Sequence, residues 1–384
     1  MNTIHPVFLI GNGLRNAPQV LEMMTKLGVP ILTTWQGCDL ISEDSPVFCG
    51  RPGSIGQRAA NIIQQKSNFL MVVGARLDQE QVGHNLAGFA PNCAIPIVVD
   101  CDGAELEKYP KHWGRYLIDL SSPASRYGQS GLPFVDGDPE WLAECKAIYA
   151  RFRPELEGQE GGNVIDPYLF INTLSDVCGK DDVLVPGSSG MQSCAFFQAF
   201  KVKAGQRVLC CNTIGAMGME PMAIGAAIAS GRRVIVVTGD GGFAQNMQEL
   251  EVVRRMNLPI HYFVFDNAGY GSIASMQDSR FGLRVGATKE SGFTVPYVSY
   301  VAELFAMPFD NLNINKRDAI NLHIRGALEI REPTITRVVT SLDFRYANRV
   351  QSTLVNNILV PDRMEDVSPK LDPEELERLM KGRP

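Results

Sequence analysis

Asp240 and Asn267 are the two side chains whose type and spacing point most directly to chemistry. Asp240 stands in Gly239-Asp240-Gly241-Gly242-Phe243, and Asn267 in Asp266-Asn267-Ala268-Gly269-Tyr270-Gly271. A carboxylate and an amide oxygen, set among small residues that let a ligand approach the backbone, suit Mg²⁺. That hard cation takes oxygen ligands and shares them with a substrate diphosphate. Taken singly, either segment reads as a Gly-rich turn with a capping side chain, so elements are needed that bring the two together. The apolar run Val234-Ile-Val-Val-Thr238 precedes the first segment and Ile260-His-Tyr-Phe-Val-Phe265 the second, both of the kind that form buried strands. Between them, Asn246 to Asn257 carries Met247, Leu250, Val253 and Met256 at helical spacing. Strand, turn, helix and strand predict a parallel sheet with Asp240 and Asn267 at the carboxyl ends of two strands. Open α/β sheets bind ligands at that edge.

The same alternation fills most of the chain. Val7 to Ile10, Pro30 to Thr34, Phe69 to Val73 and Ile95 to Asp100 read as strands of a first unit, with a helix over Pro18 to Leu27. Val183 to Pro186, Val208 to Cys211, Val234 to Thr238, Ile260 to Phe265 and Thr334 to Val339 read as strands of a second. The expected fold class is α/β, with two doubly wound parallel-sheet domains, a Rossmann-like one over 1–125 and a ligand-binding one over 163–345. Residues 126–162 read as a Pro- and Gly-punctuated linker with one helix, Glu140 to Phe152. Residues 346–384 read as a polar tail ending in a helix from Pro373 to Lys381, a candidate lid over the site.

Composition removes several classes of function. The 384 residues are 45% hydrophobic, enough for sizeable cores. A net charge of −6 without a Lys/Arg cluster argues against nucleic acid or an anionic membrane surface as partner. No apolar run approaches membrane-spanning length, and the amino terminus lacks the basic-then-apolar pattern of a signal peptide. The nine Cys form no Cys-x-x-Cys and no metal spacing. They read as reduced, mostly core thiols of a cytoplasmic protein, with Cys210 and Cys211 in a strand after Arg207.

Gly-Asp-Gly at 239–241, Gln248-Glu249-Leu250 in the intervening helix, and Asn267 together resemble the cofactor signature of thiamine-diphosphate enzymes, the acetolactate synthase-like branch in particular. The resemblance implies that Asp240, Asn267 and the main-chain oxygen of Gly269 hold Mg²⁺, while Gly241 and Gly242 approach the diphosphate. Gly187-Ser188-Ser189-Gly190 follows a strand and opens a helix, so Ser188 and Ser189 are candidates for the diphosphate. A plain N-cap is the equal alternative, since Gln or His is more usual there. Gly215-Ala216-Met217-Gly218 resembles the aminopyrimidine-binding segment. The Gly215 carbonyl would accept from the exocyclic amine, and Met217 would wedge beneath the bend between the rings. Met219-Glu220-Pro221-Met222 departs from the family pattern near the substrate side and leaves substrate choice open. Gln277 and Arg284 are candidates for a substrate carboxylate, against the alternative of solvated surface residues.

In the first unit, Gly11-x-Gly13 opens like a dinucleotide fingerprint, but Asn16 stands where a third Gly belongs, and a structural turn is the better reading. A dehydrogenase is therefore disfavoured. Gly74-Ala-Arg76-Leu-Asp78, Asn85 to Pro91 and Val98-Val-Asp100-Cys-Asp102 resemble the acetolactate synthase central domain instead. Arg76, Asp100 and Asp102 are the candidates if FAD binds. Gly50-Arg-Pro-Gly53 argues against FAD, because the resemblance places Gly-Met-His-Gly there.

In the family the cofactor is activated by a Glu on a pyrimidine-binding domain that precedes the central domain, and no segment of this sequence resembles it. The expectation is a subunit of a split enzyme: a partner chain supplies that domain and its Glu, in a hetero-oligomer built on a dimer or tetramer. Together they would decarboxylate a 2-oxo acid such as pyruvate and pass the acyl unit to an acceptor. A truncated longer protein, a non-catalytic cofactor-binding or regulatory subunit, and a hydrolytic or flavin-linked thiamine-diphosphate enzyme are the alternatives.

Overall fold

A computed structural model describes residues 4–122, 133, 135–187, 190–211, 217–292, 295–356 and 358–381. Ser188, Ser189 and Gly215 lie outside them. The chain forms two units, Met1–Glu155 with Ala347–Pro384, and Leu156–Tyr346.

The first unit is a parallel sheet in the order β2-β1-β3-β4-β5: β1 (Pro6–Ile10), β2 (Ile31–Thr33), β3 (Phe69–Val73), β4 (Ile97–Asp100) and β5 (Gly114–Leu117). β1 is buried throughout and carries apolar clusters on both faces, as parallel strands covered by helices must. The Gly11-x-Gly13 turn is structural. A Cβ on Gly11 would sit 2.4 Å from the Gly74 carbonyl oxygen and one on Gly13 would sit 2.8 Å from the Gly74 Cα, so the two loops close over the sheet edge. β5 was not expected, because its residues alternate between half-buried and exposed at the sheet edge.

Two boundaries differ from expectation. The helix Pro139–Phe152 is not a linker element but part of the first unit. Trp141 is buried and its Nε1 donates to the Pro6 carbonyl at 2.9 Å, while Lys146 Nζ reaches the Phe48 carbonyl at 3.1 Å. The tail from Ala347 also packs into this unit. Arg58 donates to the Val367 carbonyl at 3.2 Å and the Pro369 carbonyl at 2.6 Å, and Met364 is 2% exposed in the core.

The second unit is a six-stranded parallel sheet in the order β10-β11-β9-β8-β6-β7. Its strands are β6 (Val183–Pro186), β7 (Arg207–Val208), β8 (Val234–Gly239), β9 (Ile260–Asp266), β10 (Phe309–Leu312) and β11 (Thr334–Val339). β7 is shorter than expected: it spans Arg207–Val208, Leu209 N donates to the Leu184 carbonyl, and Cys210 and Cys211 lie beyond the strand, half-exposed. The chain leaves β6 for β7 on one side and returns to β8 on the other. That places a switch point between the carboxyl ends of β6 and β8. The helix read over Asn246 to Asn257 is present as a 3-10 turn, Met247–Glu249, running into the α-helix Leu250–Arg255, and an unexpected helical turn, Asp240–Gln245, precedes it directly after β8. The chain bends between them at Asn246, whose side chain donates to the Gly218 carbonyl at 2.7 Å. In the tail, β12 (Ser352–Val355) and β13 (Ile358–Pro361) form an antiparallel hairpin.

Candidate functional site

The Asp240 carboxylate is the centre of the site. It starts the helix after β8 and is 5% exposed. One oxygen accepts the Gly241 amide at 2.7 Å. The other accepts the Asn267 amide at 3.2 Å and the Gly269 amide at 3.3 Å. The loop after β9 folds to meet it through two side-chain turns. Asp266 accepts from Ala268 N at 3.0 Å and Asn267 from Gly269 N at 3.2 Å, and Ala268 takes a left-handed φ of 57°. Two adjacent strands of the sheet thus deliver a carboxylate, an amide oxygen and a backbone turn to one place. Among the described residues no three His, Cys, Asp or Glu side chains converge as a metal site. The set here is of another kind, one carboxylate beside one side-chain amide oxygen, which would suit Mg²⁺ completed by ligand and water oxygens.

The electrostatics around Asp240 would favour a cation beside it. Burial, with the Asp266 charge beside it, pushes the Asp240 carboxyl up to about 7. Asp266 is itself paired with Arg337. A divalent cation would favour the ionised Asp240 that burial otherwise penalises.

Around these groups lies a cleft enclosing about 950 Å³ of space, part of it open to solvent. Its walls come from the carboxyl ends of β6, β8, β9 and β11, through Gly187, Gly239, Asn267 and Leu342. Gly241 is glycine because a Cβ there would lie 2.4 Å from the Tyr270 ring and 3.2 Å from the end of Met217. That small residue lets Met217, Tyr270 and the backbone of the Asp240 helix border one space.

This geometry agrees with the comparisons. Residues 187–338 match the profile of the thiamine pyrophosphate enzyme C-terminal TPP binding domain, and residues 2–115 that of the thiamine pyrophosphate enzyme central domain. The chain belongs to the thiamine pyrophosphate enzymes. Its similarity to the acetolactate synthase isozyme 1 large subunit of Escherichia coli (strain K12) is 28% identity over 277 residues, 71% of this chain and 48% of that protein. To a probable acetolactate synthase large subunit of Methanocaldococcus jannaschii it is 26% over 389 residues, covering 98% of this chain and 64% of the relative. To acetolactate synthase 1, chloroplastic, of Zea mays it is 25%, covering 87% and 53%. The chain spans about half to two-thirds of the length of these curated relatives.

In this thiamine pyrophosphate enzyme, Met217, Asp240, Gly241, Gly242, Asn267 and Gly269 all line the cleft. Gln277 and Arg284 do not. Gln277 is tied to the Val285 backbone in both directions, at 3.0 and 2.9 Å, and Arg284 is held by Asp278 at 2.6 Å and by Asp343. Partners near in the chain claim both half-buried side chains, so the loop holds itself rather than lining the cleft. The FAD candidates also have local roles. Arg76 pairs with Glu105 at 3.1 Å, Asp100 accepts Asp102 N at 2.9 Å, and Asp102 caps the following helix through Ala104 N at 2.9 Å. Sequence reading missed Gln192. It is 5% exposed and lies beneath the edge, its amide 3.3 Å from where a Cβ on Gly239 would be. The signal was present, since the family often uses Gln or His at this turn and Gln192 follows it by two residues. Phe344 and Tyr346, which close one wall, carried no readable motif.

Proposed function

We propose that the second unit binds thiamine diphosphate and Mg²⁺, and that the chain acts as part of an acetolactate synthase-like carboligase or decarboxylase. Convergence of Asp240, Asn267 and Gly269 beneath a switch-point cleft carries this reading. Asp240, Asn267 and the Gly269 carbonyl would hold the metal. Gly241 and Gly242 would meet the diphosphate through their backbone, and Met217 would support the rings. When bound, the cofactor supplies the electron sink that lets a 2-oxo acid lose CO₂. Phe265, Leu342, Phe344 and Tyr346 wall the cleft with apolar surface, which limits water at the reacting carbon.

A partner subunit with a pyrimidine-binding domain would contribute the activating Glu, in a hetero-oligomer, and pyruvate is the simplest 2-oxo acid of the class. The cytosol suits nine cysteines that form no disulfide. FAD has no support in the first unit, where its candidate residues serve as caps and ion pairs. Isothermal titration of the full chain with thiamine diphosphate should show binding that requires Mg²⁺ and is lost in Asp240→Ala. CO₂ release from pyruvate should then appear on adding the partner. Binding that ignores Mg²⁺, or an Asp240→Ala chain that binds as well as wild type, would sink the reading.

A further inference from the structure

Asp240, Asn267 and Gly269 can meet one cation only if the short loop after β9 keeps its shape. Asp266, the last residue of β9, is 6% exposed and starts that loop. Its Oδ1 accepts Ala268 N at 3.0 Å, which closes the turn where Ala268 takes its left-handed φ and from which Asn267 N and Gly269 N reach Asp240. Its Oδ2 accepts Arg337 Nε. Arg337 lies on β11, between β9 and β10, and its Nη1 donates at 3.1 Å to Oδ1 of Asn311, its register partner on β10. One guanidinium thus joins the edge strand of the sheet to the carboxylate from which the metal loop is turned.

Charge gives Arg337 a second task. The Asp266 carboxylate neighbours that of Asp240, and the cleft itself is lined by the carboxyl side chains of Asp240 and Glu220 and, among the described residues, by no Lys, Arg or His. Arg337 does not line the cleft, and its ion pair with Asp266 offsets the negative charge that Asp266 places beside Asp240. Groups that orient metal ligands without touching the ion typically change metal affinity by about 10–100-fold when they are removed.

We propose that Arg337 is a positioning residue for the metal: through Asp266 it fixes the turn that presents Asn267 and Gly269 to Mg²⁺, while touching neither metal nor cofactor. This rests on the cleft being the site of Mg²⁺ and thiamine diphosphate, and the test separates the two ideas. The competing role is a staple between β9 and β10 that the metal does not feel.

The probe is Mg²⁺ titrated into the full chain with thiamine diphosphate in excess, followed by calorimetry. Arg337→Met removes both bonds and should raise the Mg²⁺ concentration at half-saturation by about 10–100-fold. Arg337→Lys should recover part of that loss, since it keeps the charge beside Asp266 but not the fork that also reaches Asn311. With Mg²⁺ in large excess, Arg337→Met should bind thiamine diphosphate within about twofold of wild type, because the lost contacts lie outside the cleft. A double-mutant cycle decides between the two roles. Asp266→Asn keeps an acceptor for Ala268 N and removes the ion pair, so in that background Arg337→Met should change the Mg²⁺ requirement by less than about threefold. A staple acting on the sheet alone would cost as much in either background. If Arg337→Met fails to fold, Arg337→Gln, neutral but polar, takes its place in the cycle. Equal losses in the two backgrounds, or a folded neutral variant with the wild-type Mg²⁺ requirement, overturn the proposal alone. A wild-type chain that takes up no cofactor at any Mg²⁺ concentration overturns the cofactor reading, and the Arg337 proposal with it.

Discussion

At the scale of single residues, Asp240 is where charge and burial conflict most. Its folded carboxyl titrates at about 7, against an ordinary value of 3.8. The sign follows from proton linkage. A raised folded value means that the native state holds the proton more tightly, so this group's contribution is complete below about pH 4 and is lost as pH rises through about 7. Metal-free wild type should therefore lose stability relative to Asp240→Asn between about pH 4.5 and 8, by on the order of 2 kcal/mol. Urea denaturation of both proteins with a chelator present measures that difference; a pH-independent gap would show that Asp240 does not carry it. Saturating Mg²⁺ should restore wild type at the upper pH and leave the variant unchanged, because the cation needs the ionised carboxylate. Type and spacing sufficed to read Asp240 and Asn267 as a pair, and the structure brings the two together. The sequence marked Glu220 only as a departure from the family pattern and did not mark Gln192 as a site residue, because the meaning of both lies in which neighbours crowd them. It overrated Arg284 and Gln277, whose partners Asp278, Asp343 and Val285 are set by the path of a loop.

At the scale of elements, glycines at strand ends set how closely the loops can pack, and the consequences differ by position. Gly11→Ala would place its methyl 2.4 Å from the Gly74 carbonyl and 2.5 Å from the Ala75 Cα, both backbone atoms that cannot swing aside. It should destabilise the first unit by about 1–3 kcal/mol, the usual cost of overpacking. Gly103→Ala, at a helix start with its nearest contact at 4.0 Å, is the control and should change stability by less than about 0.5 kcal/mol. Equal losses for both variants in thermal melts would show that close packing at Gly11 is not the reason for its glycine. The central strands were legible because β1, β3, β8 and β9 are buried on both faces and read as unbroken apolar runs. Two of the four edge strands, β5 and β10, were not, because exposed residues alternate along both with more buried ones, and β7 was read longer than the two residues it keeps in the sheet. The helical turn Asp240–Gln245 was hidden for another reason: its glycines read as a loop, and the bend that separates it from the next helix is held by a side-chain bond from Asn246 to Gly218, distant in sequence.

At the scale of the whole chain, the described residues that line the cleft all belong to Leu156–Tyr346, and the carboxyl ends of four strands of a single sheet supply them. The first unit has its own closed sheet edge, where Gly11 and Gly13 press on Gly74, and its tail helix Pro373–Met380 is anchored by Lys66 through the Lys381 carbonyl at 3.1 Å. Ligand binding stabilises what it touches by RT ln(1 + [L]/Kd), about 2.7 kcal/mol at a hundredfold excess over Kd. Hydrogen exchange with and without Mg²⁺–thiamine diphosphate should therefore protect amides at 239–242 and 267–273 strongly. Amides of β1 and β3, in the other sheet, should keep their rates. Equal protection in both sheets would mean that the units unfold as one cooperative body and that the first unit shares in the binding energy. Protection confined to the second sheet would show that it carries the cofactor by itself, with the first unit as a separately stable neighbour. Of the two, the confined pattern follows from a site whose every contact is made at one sheet edge.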